Sequence, residues 1–151
     1  MRMGVRFALD LGSVRIGVAR CDASGTLASP HAVWQVTDNQ NLFAQVQEVL
    51  SEYEPLEIVV GLPTDMRGEQ GVAAQAVRAR AIELHQQFPD TVWRLVDERL
   101  TTAAARKQLA ASGYSTRTDR ALIDAASAVI LLEDTLEAER RQGVAPGEVV
   151  Q

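Results

Sequence analysis

The chain contains very little cysteine, lysine or long apolar sequence. Cys21 is the only cysteine, and a single thiol excludes an internal disulfide framework and a cysteine-rich zinc site. The longest uncharged apolar run, residues 125–132, is far shorter than the span of a bilayer. Residues 1–5 form no apolar stretch of the kind found in a signal peptide. These absences predict a cytoplasmic protein without a membrane segment.

What remains is the composition of an ordinary globular protein. The 151 residues are 46% hydrophobic and 23% charged, which supplies enough apolar sequence for a core and argues against disorder. This length is typical of a single domain. We assign that domain to residues 1–141. We expect residues 142–151, which contain Gly143, Pro146 and Gly147, to form a flexible tail.

The charge is acidic overall but unevenly distributed. Fifteen lysine and arginine residues against 20 acids give a net charge of −5, and Lys107 is the only lysine. This balance excludes a generally basic nucleic-acid coat protein, although an enzyme can still carry a local basic surface. Residues 94–120 hold six basic and three acidic side chains, a local charge of +3. Such a cluster is either a phosphate-contacting surface or the solvated face of a helix.

Hydrophobic periodicity and turn residues predict an α/β fold. The predicted strands cover residues 5–9, 15–20, 26–36, 57–63 and 92–96. The predicted helices begin near residues 37, 72, 101 and 119 and end near residues 55, 88, 113 and 141. Short turns join the first three strands into an antiparallel meander, and crossover helices connect the later, parallel strands. The expected architecture is a five-stranded mixed sheet with helices on both faces.

Three carboxylates occur where a purely structural role explains them poorly. Asp10 ends the first strand, and its structural alternative is a cap on the following turn. Glu98 ends the fifth strand beside Asp97; because side chains alternate along a strand, only one of these two acids can face a common site. Asp124 interrupts an apolar helix, where a buried carboxylate is costly unless it is paired or binds a metal ion. Its structural alternative is an ion pair with Arg120.

The chemistry of a site follows if these three acids meet. The ends of the first and fifth strands could lie side by side, with a helix bringing the third carboxylate against them. Three adjacent carboxylates cannot all remain ionised without cations. Mg²⁺ and Mn²⁺ prefer oxygen ligands, and a pair of such ions is the usual apparatus for cleaving phosphodiester bonds in line. The three acids therefore predict a nuclease site that holds two divalent ions.

Four sequence segments resemble the motifs of one family. They are LDLGSVRIGVA at residues 9–19, VVGLP at residues 59–63 followed by Gly68 and Gly71, DERLTT at residues 97–102, and IDAASAVIL at residues 123–131. In this order and spacing they resemble the YqgF/RuvX family of Holliday-junction-resolvase-like proteins, also described as pre-16S ribosomal RNA nucleases. The resemblance extends over nearly the whole chain, from about residue 5 to residue 140.

The resemblance implies a ribonuclease H-like fold and a metal-dependent nuclease that uses Mg²⁺ or Mn²⁺. It carries Asp10, Glu98 and Asp124 over as the catalytic and metal-binding triad. It also implies trimming of the 5′ end of the small-subunit ribosomal RNA precursor, with structured RNA, branched DNA or the pre-ribosome as partners. Arginine forks match phosphate oxygens, and the residues expected to contact nucleic acid are Arg15, Arg67, Arg99, Arg106, Lys107 and Arg117.

Two other functions compete with this interpretation. The sequence DLGS at residues 10–13 resembles the first phosphate loop of actin-like ATPases, but such enzymes need a second related domain, for which this chain has no room. A non-catalytic RNA-binding or protein-binding module is the other alternative, against which the three retained carboxylates argue. The sequence leaves open the choice of RNA or DNA, of endonuclease or exonuclease action, of metal, and of monomer or homodimer, as well as any role for Asp97.

Overall fold

The computed structural model describes residues 1–64, 71–98 and 120–151, and residues 120–124 by their backbone alone. The strands are β1 (Arg6–Leu11), β2 (Arg15–Cys21), β3 (Ala28–Gln35), β4 (Glu57–Leu62), β5 (Trp93–Asp97) and β6 (Glu148–Val149). The helices are α1 (Asn39–Tyr53), α2 (Val72–Gln87) and α3 (Arg120–Gln142). The predicted order of elements is confirmed for these parts, whereas the helix predicted over residues 101–113 lies outside them. No helix in the described ranges is both long enough and apolar enough to cross a membrane.

The strands form one mixed sheet in the order β3-β2-β1-β4-β5-β6. The meander β1-β2-β3 is antiparallel, and β4 lies parallel to both β1 and β5. The expected α/β architecture is therefore confirmed, but the count of five strands is wrong. The sixth strand, β6, lies inside the segment expected to be a flexible tail and pairs antiparallel with β5. The division into a domain and a tail stays a prediction.

Backbone conformation explains how so short a sixth strand is held at the sheet edge. Gly147 has a φ of 81°, and a side chain there would collide with the Leu95 carbonyl of β5. Val150 directly follows β6. Its backbone N–H donates to the Trp93 carbonyl, and its side chain is buried in the core. A two-residue strand whose own side chains are exposed leaves no periodic signal in the sequence.

Each face of the sheet carries its own hydrophobic core. Phe7 and Leu9 of β1 point into the larger core, which α1 and α2 cover. Ala8 points to the opposite face, where Ala128, Leu131 and other residues of α3 pack. This alternation is that of a strand buried on both sides, and it confirms the prediction of helices on both faces.

A buried ion network lies at the start of the parallel strands. Arg6 and Glu139 are almost fully buried and pair at 2.6 Å. Arg2 pairs with both Glu139 and Glu57, and Arg94 pairs with Glu57 at 2.8 Å. Arg94 belongs to the basic stretch of residues 94–120, but its ion pair with the buried Glu57 means that it is not part of a nucleic-acid-binding surface. The network sits at the opposite end of the sheet from Asp10, which is near the end of β1, and Glu98, which follows β5.

We expect Glu139→Gln to lower the free energy of unfolding by about 2 kcal/mol at neutral pH, because it leaves the buried Arg6 charge uncompensated. Burial raises the pKa of Glu139, but hydrogen bonds from Arg2 and Arg6 outweigh this effect and the net pKa is lowered. A carboxyl group with a lowered pKa stabilises the fold above its unfolded-state pKa and loses that contribution as the pH falls.

Urea unfolding from neutral to acid pH measures this contribution. Below the ordinary glutamate pKa of 4.5, the parent should lose stability more steeply than Glu139→Gln. The control is Glu137→Gln on the same helix, since Glu137 pairs with the exposed Arg140 and Arg141 and should contribute little. Equal pH slopes for the parent and Glu139→Gln would contradict the prediction.

Candidate active site

The first candidate acid, Asp10, lies near the end of β1 on the face covered by α3. In β1, Phe7 and Leu9 belong to the larger core and Ala8 to the α3 side. Side chains two residues apart share a face of a strand, so Asp10 follows Ala8 to the α3 side. It is partly buried and sits opposite Gly17 of β2. The prediction that Asp10 ends the first strand is therefore confirmed to within one residue.

Glu98 lies on the same face of the sheet as Asp10. Of the two neighbouring acids Asp97 and Glu98, it is therefore Glu98 that faces the predicted site. Val96 of β5 packs on the α3 side, and Glu98 is two residues further on. A methyl group at Gly61 would lie 3.0 Å from the Glu98 Oε1 atom and 3.0 Å from Leu131 Cδ2 of α3. The Glu98 carboxylate therefore lies over Gly61, between β4 and α3.

Asp97 belongs to the opposite face of β5. Its neighbour Leu95, two residues earlier, packs in the larger core under α1 and α2. The Thr64 hydroxyl donates to Asp97 Oδ1 at 3.3 Å. Asp97 is absent from the set of residues that line the cleft beside Asp10 and Glu98.

The strands that carry Asp10 and Glu98 are not neighbours. The expectation that the first and fifth strands lie side by side is wrong, because β4 separates them. Two strand spacings place the backbones of β1 and β5 about 10 Å apart. Gly61 occupies β4 between them: Leu9 pairs with Val60, one residue earlier on each strand, and Gly61 pairs with Val96. The missing side chain at Gly61 leaves the intervening space to the two carboxylates.

Both carboxylates open into one cleft of about 500 Å³ at the carboxyl ends of β1 and β4. The turn after β1 and the first turns of α2 form its walls. The lining residues are Asp10, Leu11, Gly12, Ser13, Ile16, Pro63, Ala73, Ala76, Val77, Arg80 and Glu98.

The turn from β1 to β2 fixes one side of this cleft. The Gly12 backbone N–H donates to the Arg15 carbonyl at 2.9 Å. A side chain at Gly12 would collide with that same carbonyl oxygen, so the sharp turn requires glycine. This turn also places Ser13 among the residues that line the cleft.

The histidines contribute nothing to the cleft lining. His31 lies edge-on to Phe7 and Tyr53, with ring centroids 5.1 and 5.5 Å apart. Burial and then the Arg20 charge lower the pKa of His31, because both disfavour the imidazolium form.

The remaining predicted site residues are placed only in part. Asp124 lies in the first turns of α3, where the described structure is limited to the backbone. Arg15 begins β2, is partly buried, and is not among the residues that line the cleft. The other predicted nucleic-acid contacts lie outside the described residues: Arg67, Arg99, Arg106, Lys107 and Arg117. Among the described side chains, no group of three potential metal ligands occurs.

Two residues at the site, Gly61 and Arg80, are not among those that the sequence predicts to have a role there. Gly61, which lies beneath the Glu98 carboxylate, is predicted only as part of an apolar strand and of the family-like segment VVGLP, although a glycine inside a strand often marks the close approach of another group. Arg80 is placed in an alanine-rich helix, and its only signal is its spacing of three, four and seven residues from Val77, Ala76 and Ala73, which predicts one helix face.

Comparison with known proteins identifies the family. A family model described as RuvX, Holliday junction resolvase, matches residues 4–138. A protein of Streptomyces avermitilis named "Putative pre-16S rRNA nuclease" is 45% identical over 100% of this chain and 97% of its own length. A protein of the same name from Streptomyces coelicolor is 44% identical over 100% of this chain and 90% of its own length.

Solved structures agree on the fold. RuvC of Thermus thermophilus in complex with a Holliday junction matches with a TM-score of 0.63 and 15% identity, over 95% of this chain and 99% of that one. The structure of Thermus thermophilus RuvC matches with a TM-score of 0.58 and 16% identity, over 95% and 99% of the two chains. The expected ribonuclease H-like fold is thereby confirmed. Because the family model covers most of the sequence, the chain belongs to the RuvX family.

Proposed function

We propose that this chain is a metal-dependent nuclease that hydrolyses phosphodiester bonds and processes the 5′ end of pre-16S rRNA in the cytoplasm. Membership of a family of nucleases supports the reaction class. The observation that carries the proposal is the placement of Asp10 and Glu98 on one sheet face, across the side-chain-free position of Gly61, in a single cleft.

The donor set fits a hard divalent cation. Asp10 and Glu98 offer carboxylate oxygens, which Mg²⁺ and Mn²⁺ prefer, and the described cleft lining contains no histidine or cysteine that would favour a softer metal. Asp10, Glu98 and Asp124 would hold one or two ions. When bound, such an ion supplies a positive charge that polarises the phosphoryl group. Asp124 lies four and seven residues before Ala128 and Leu131, the spacing of one helix face.

The chain's own residues orient and enclose the substrate. The Gly12 turn holds Asp10 and Ser13 on one side of the cleft. The Glu98 carboxylate packs over Gly61 beside Leu131, and this packing limits its motion and preorganises it. A carboxylate oxygen in this cleft can also accept the proton of the attacking water.

Relatives at 44–45% identity support ribosomal RNA as the substrate, because their name specifies pre-16S rRNA. Branched DNA is the second candidate, since the family model is described as a Holliday junction resolvase. Partners under this proposal are structured RNA and the pre-ribosome, with Arg15, Arg67, Arg99, Arg106, Lys107 and Arg117 as contacts. A cleavage assay on a 5′-extended 16S precursor and on a four-way DNA junction, with and without Mn²⁺, distinguishes the two substrates. Cleavage of neither would contradict the proposal.

Metal binding has its own readout in thermal melting. A ligand at a hundred times its Kd stabilises a fold by about 2.7 kcal/mol, and for a chain of this size that raises Tm by about 5–10 °C. We expect saturating Mn²⁺ to produce such a shift and EDTA to reverse it. Asp124→Asn should reduce the shift by more than half. An equal shift and equal cleavage by this variant and the parent would contradict the assignment of Asp124.

A further inference from the structure

One wall of the cleft is a single face of α2, and the last cleft-lining residue on that face is the positively charged Arg80. Ala73, Ala76, Val77 and Arg80 all line the cleft, and their spacing is that of one helix face. Three small or medium apolar side chains leave space next to the carboxylates. Arg80, two turns into the helix, is the only basic residue among the cleft-lining residues that the structure describes.

The Arg80 guanidinium is held by a neutral group. Its Nη1 atom donates to Asn39 Oδ1 at 2.6 Å. Several other described arginines pair with carboxylates. Arg78, on the same helix, pairs with Glu148 at 2.7 Å, and Arg6 pairs with Glu139. Within residues 1–64, 71–98 and 120–151, no carboxylate forms an ion pair with Arg80. Asn39 therefore fixes the direction of the guanidinium without neutralising its charge.

The surroundings of Arg80 favour an anion. Asn39 is the first residue of α1, whose first turn contains no acidic side chain. The partial positive charge of a helix N-terminus repels a cation and attracts an anion. The neighbouring cap carboxylate, Asp38, accepts the Asn41 backbone N–H at 2.8 Å and so serves the helix itself. A phosphate entering the cleft would meet the guanidinium of Arg80, which lines it, and the contact with Asn39 holds that guanidinium beside the start of α1.

We propose that Arg80 binds a backbone phosphate of the nucleic-acid strand next to the phosphate cleaved at Asp10 and Glu98, and that Asn39 positions its guanidinium. This inference rests on the proposed nuclease function. It assigns to the α2 wall the task of setting the strand's register in the cleft, because an arginine fork offers two parallel hydrogen bonds to phosphate oxygens.

The first test separates binding from cleavage. A fluorescein-labelled RNA that spans the 5′ processing junction of pre-16S rRNA is titrated against Asp10→Asn protein at several salt concentrations. Adding Arg80→Gln should weaken binding about tenfold and reduce the slope of log affinity against log salt by about 0.7–0.9, because one phosphate contact is lost. Arg80→Lys should retain the slope and lose part of the affinity. In the otherwise unmodified enzyme, Arg80→Gln should raise KM more than it lowers kcat.

Arg78→Gln is the matched control, because it removes the same charge from the same helix at a side chain that pairs with Glu148. It should leave RNA affinity within about twofold, as expected of a surface ion pair. Equal losses of affinity in Arg78→Gln and Arg80→Gln would show that Arg80 contributes only non-specific electrostatic attraction, and this result would overturn the inference. A changed Mn²⁺ melting shift with unchanged RNA binding would also overturn it, because Arg80 would then only balance the carboxylates.

Asn39→Asp tests, independently of folding, whether the partner of Arg80 must be uncharged. A carboxylate at this position would pair with Arg80 and neutralise it, so RNA binding should fall about as far as in Arg80→Gln. The same change adds an acid to the first turn of α1, which should preserve or raise Tm. Parent-like binding by Asn39→Asp would overturn the inference. If the parent binds RNA and Arg80→Gln binds equally well, only this inference fails; if the parent neither binds nor cleaves RNA or branched DNA, the proposed function fails as well.

Discussion

Asp10→Asn is expected to lower the cleavage rate at least about a thousandfold, while RNA binding changes only a few-fold. The asparagine preserves the size of the side chain but removes the negative charge that a divalent ion requires. Loss of an electrostatic contribution of several kcal/mol at the reacting phosphate corresponds to a factor of this size. Single-turnover cleavage at saturating protein measures the chemical step without a contribution from binding. Glu98→Gln should behave in the same way, because its carboxylate faces the same cleft.

Asp90→Asn is the control for this prediction. Asp90 is exposed in the turn between α2 and β5, so its replacement removes one negative charge without altering the cleft. Cleavage by this variant should stay within about twofold of the parent, as expected of an isolated surface substitution. Asp10→Asn protein that retained a tenth or more of the parent rate would show that Asp10 is not part of the reacting site.

Local sequence pattern predicts the described helices and longer strands, and it singles out Asp10 and Glu98, which the structure places in one cleft. The alternation around Ala8 and Val96 is the kind of signal that a strand buried on both faces leaves in the sequence. Because that alternation has a period of two, it also carries Asp10 and Glu98 to a common face once the strands are paired. The turn after Asp10 is likewise predicted by the sequence, because turn geometry depends on neighbouring residues.

The features that the sequence does not predict depend on contacts between residues far apart in the chain. The position of β4 between β1 and β5 depends on a crossover connection, and adjacency in the sheet has no local signature. The orientation of Asp97 and Glu98 followed only after the register of β5 against β4 was known. The burial of Arg94 against Glu57 joins residues 37 positions apart, so a count of local charge overestimated the basic surface.

Gly61→Ala is expected to lower cleavage about a hundredfold with little loss of stability, because a shift of about 1 Å in a reacting group can cost that much. The added methyl group would lie 3.0 Å from Glu98 Oε1 and 3.1 Å from Glu98 Cγ, closer than ordinary contact. The Glu98 side chain must therefore move away from β4. Alanine also restricts the unfolded chain more than glycine does, which offsets part of the packing strain.

Gly71→Ala controls for the glycine substitution itself. A methyl group at Gly71 would meet no atom of the described residues within 4 Å, so its expected cost is limited to about 1 kcal/mol of helix capping at the start of α2. Cleavage should stay close to the parent rate.

Adding Glu98→Asp to Gly61→Ala shortens the displaced side chain, and the double variant should regain part of the Mn²⁺ melting shift that Gly61→Ala loses. Such non-additivity is the signature of two residues in contact. If Gly61→Ala and Gly71→Ala cleaved equally well, the space over Gly61 would have no role in placing the Glu98 carboxylate.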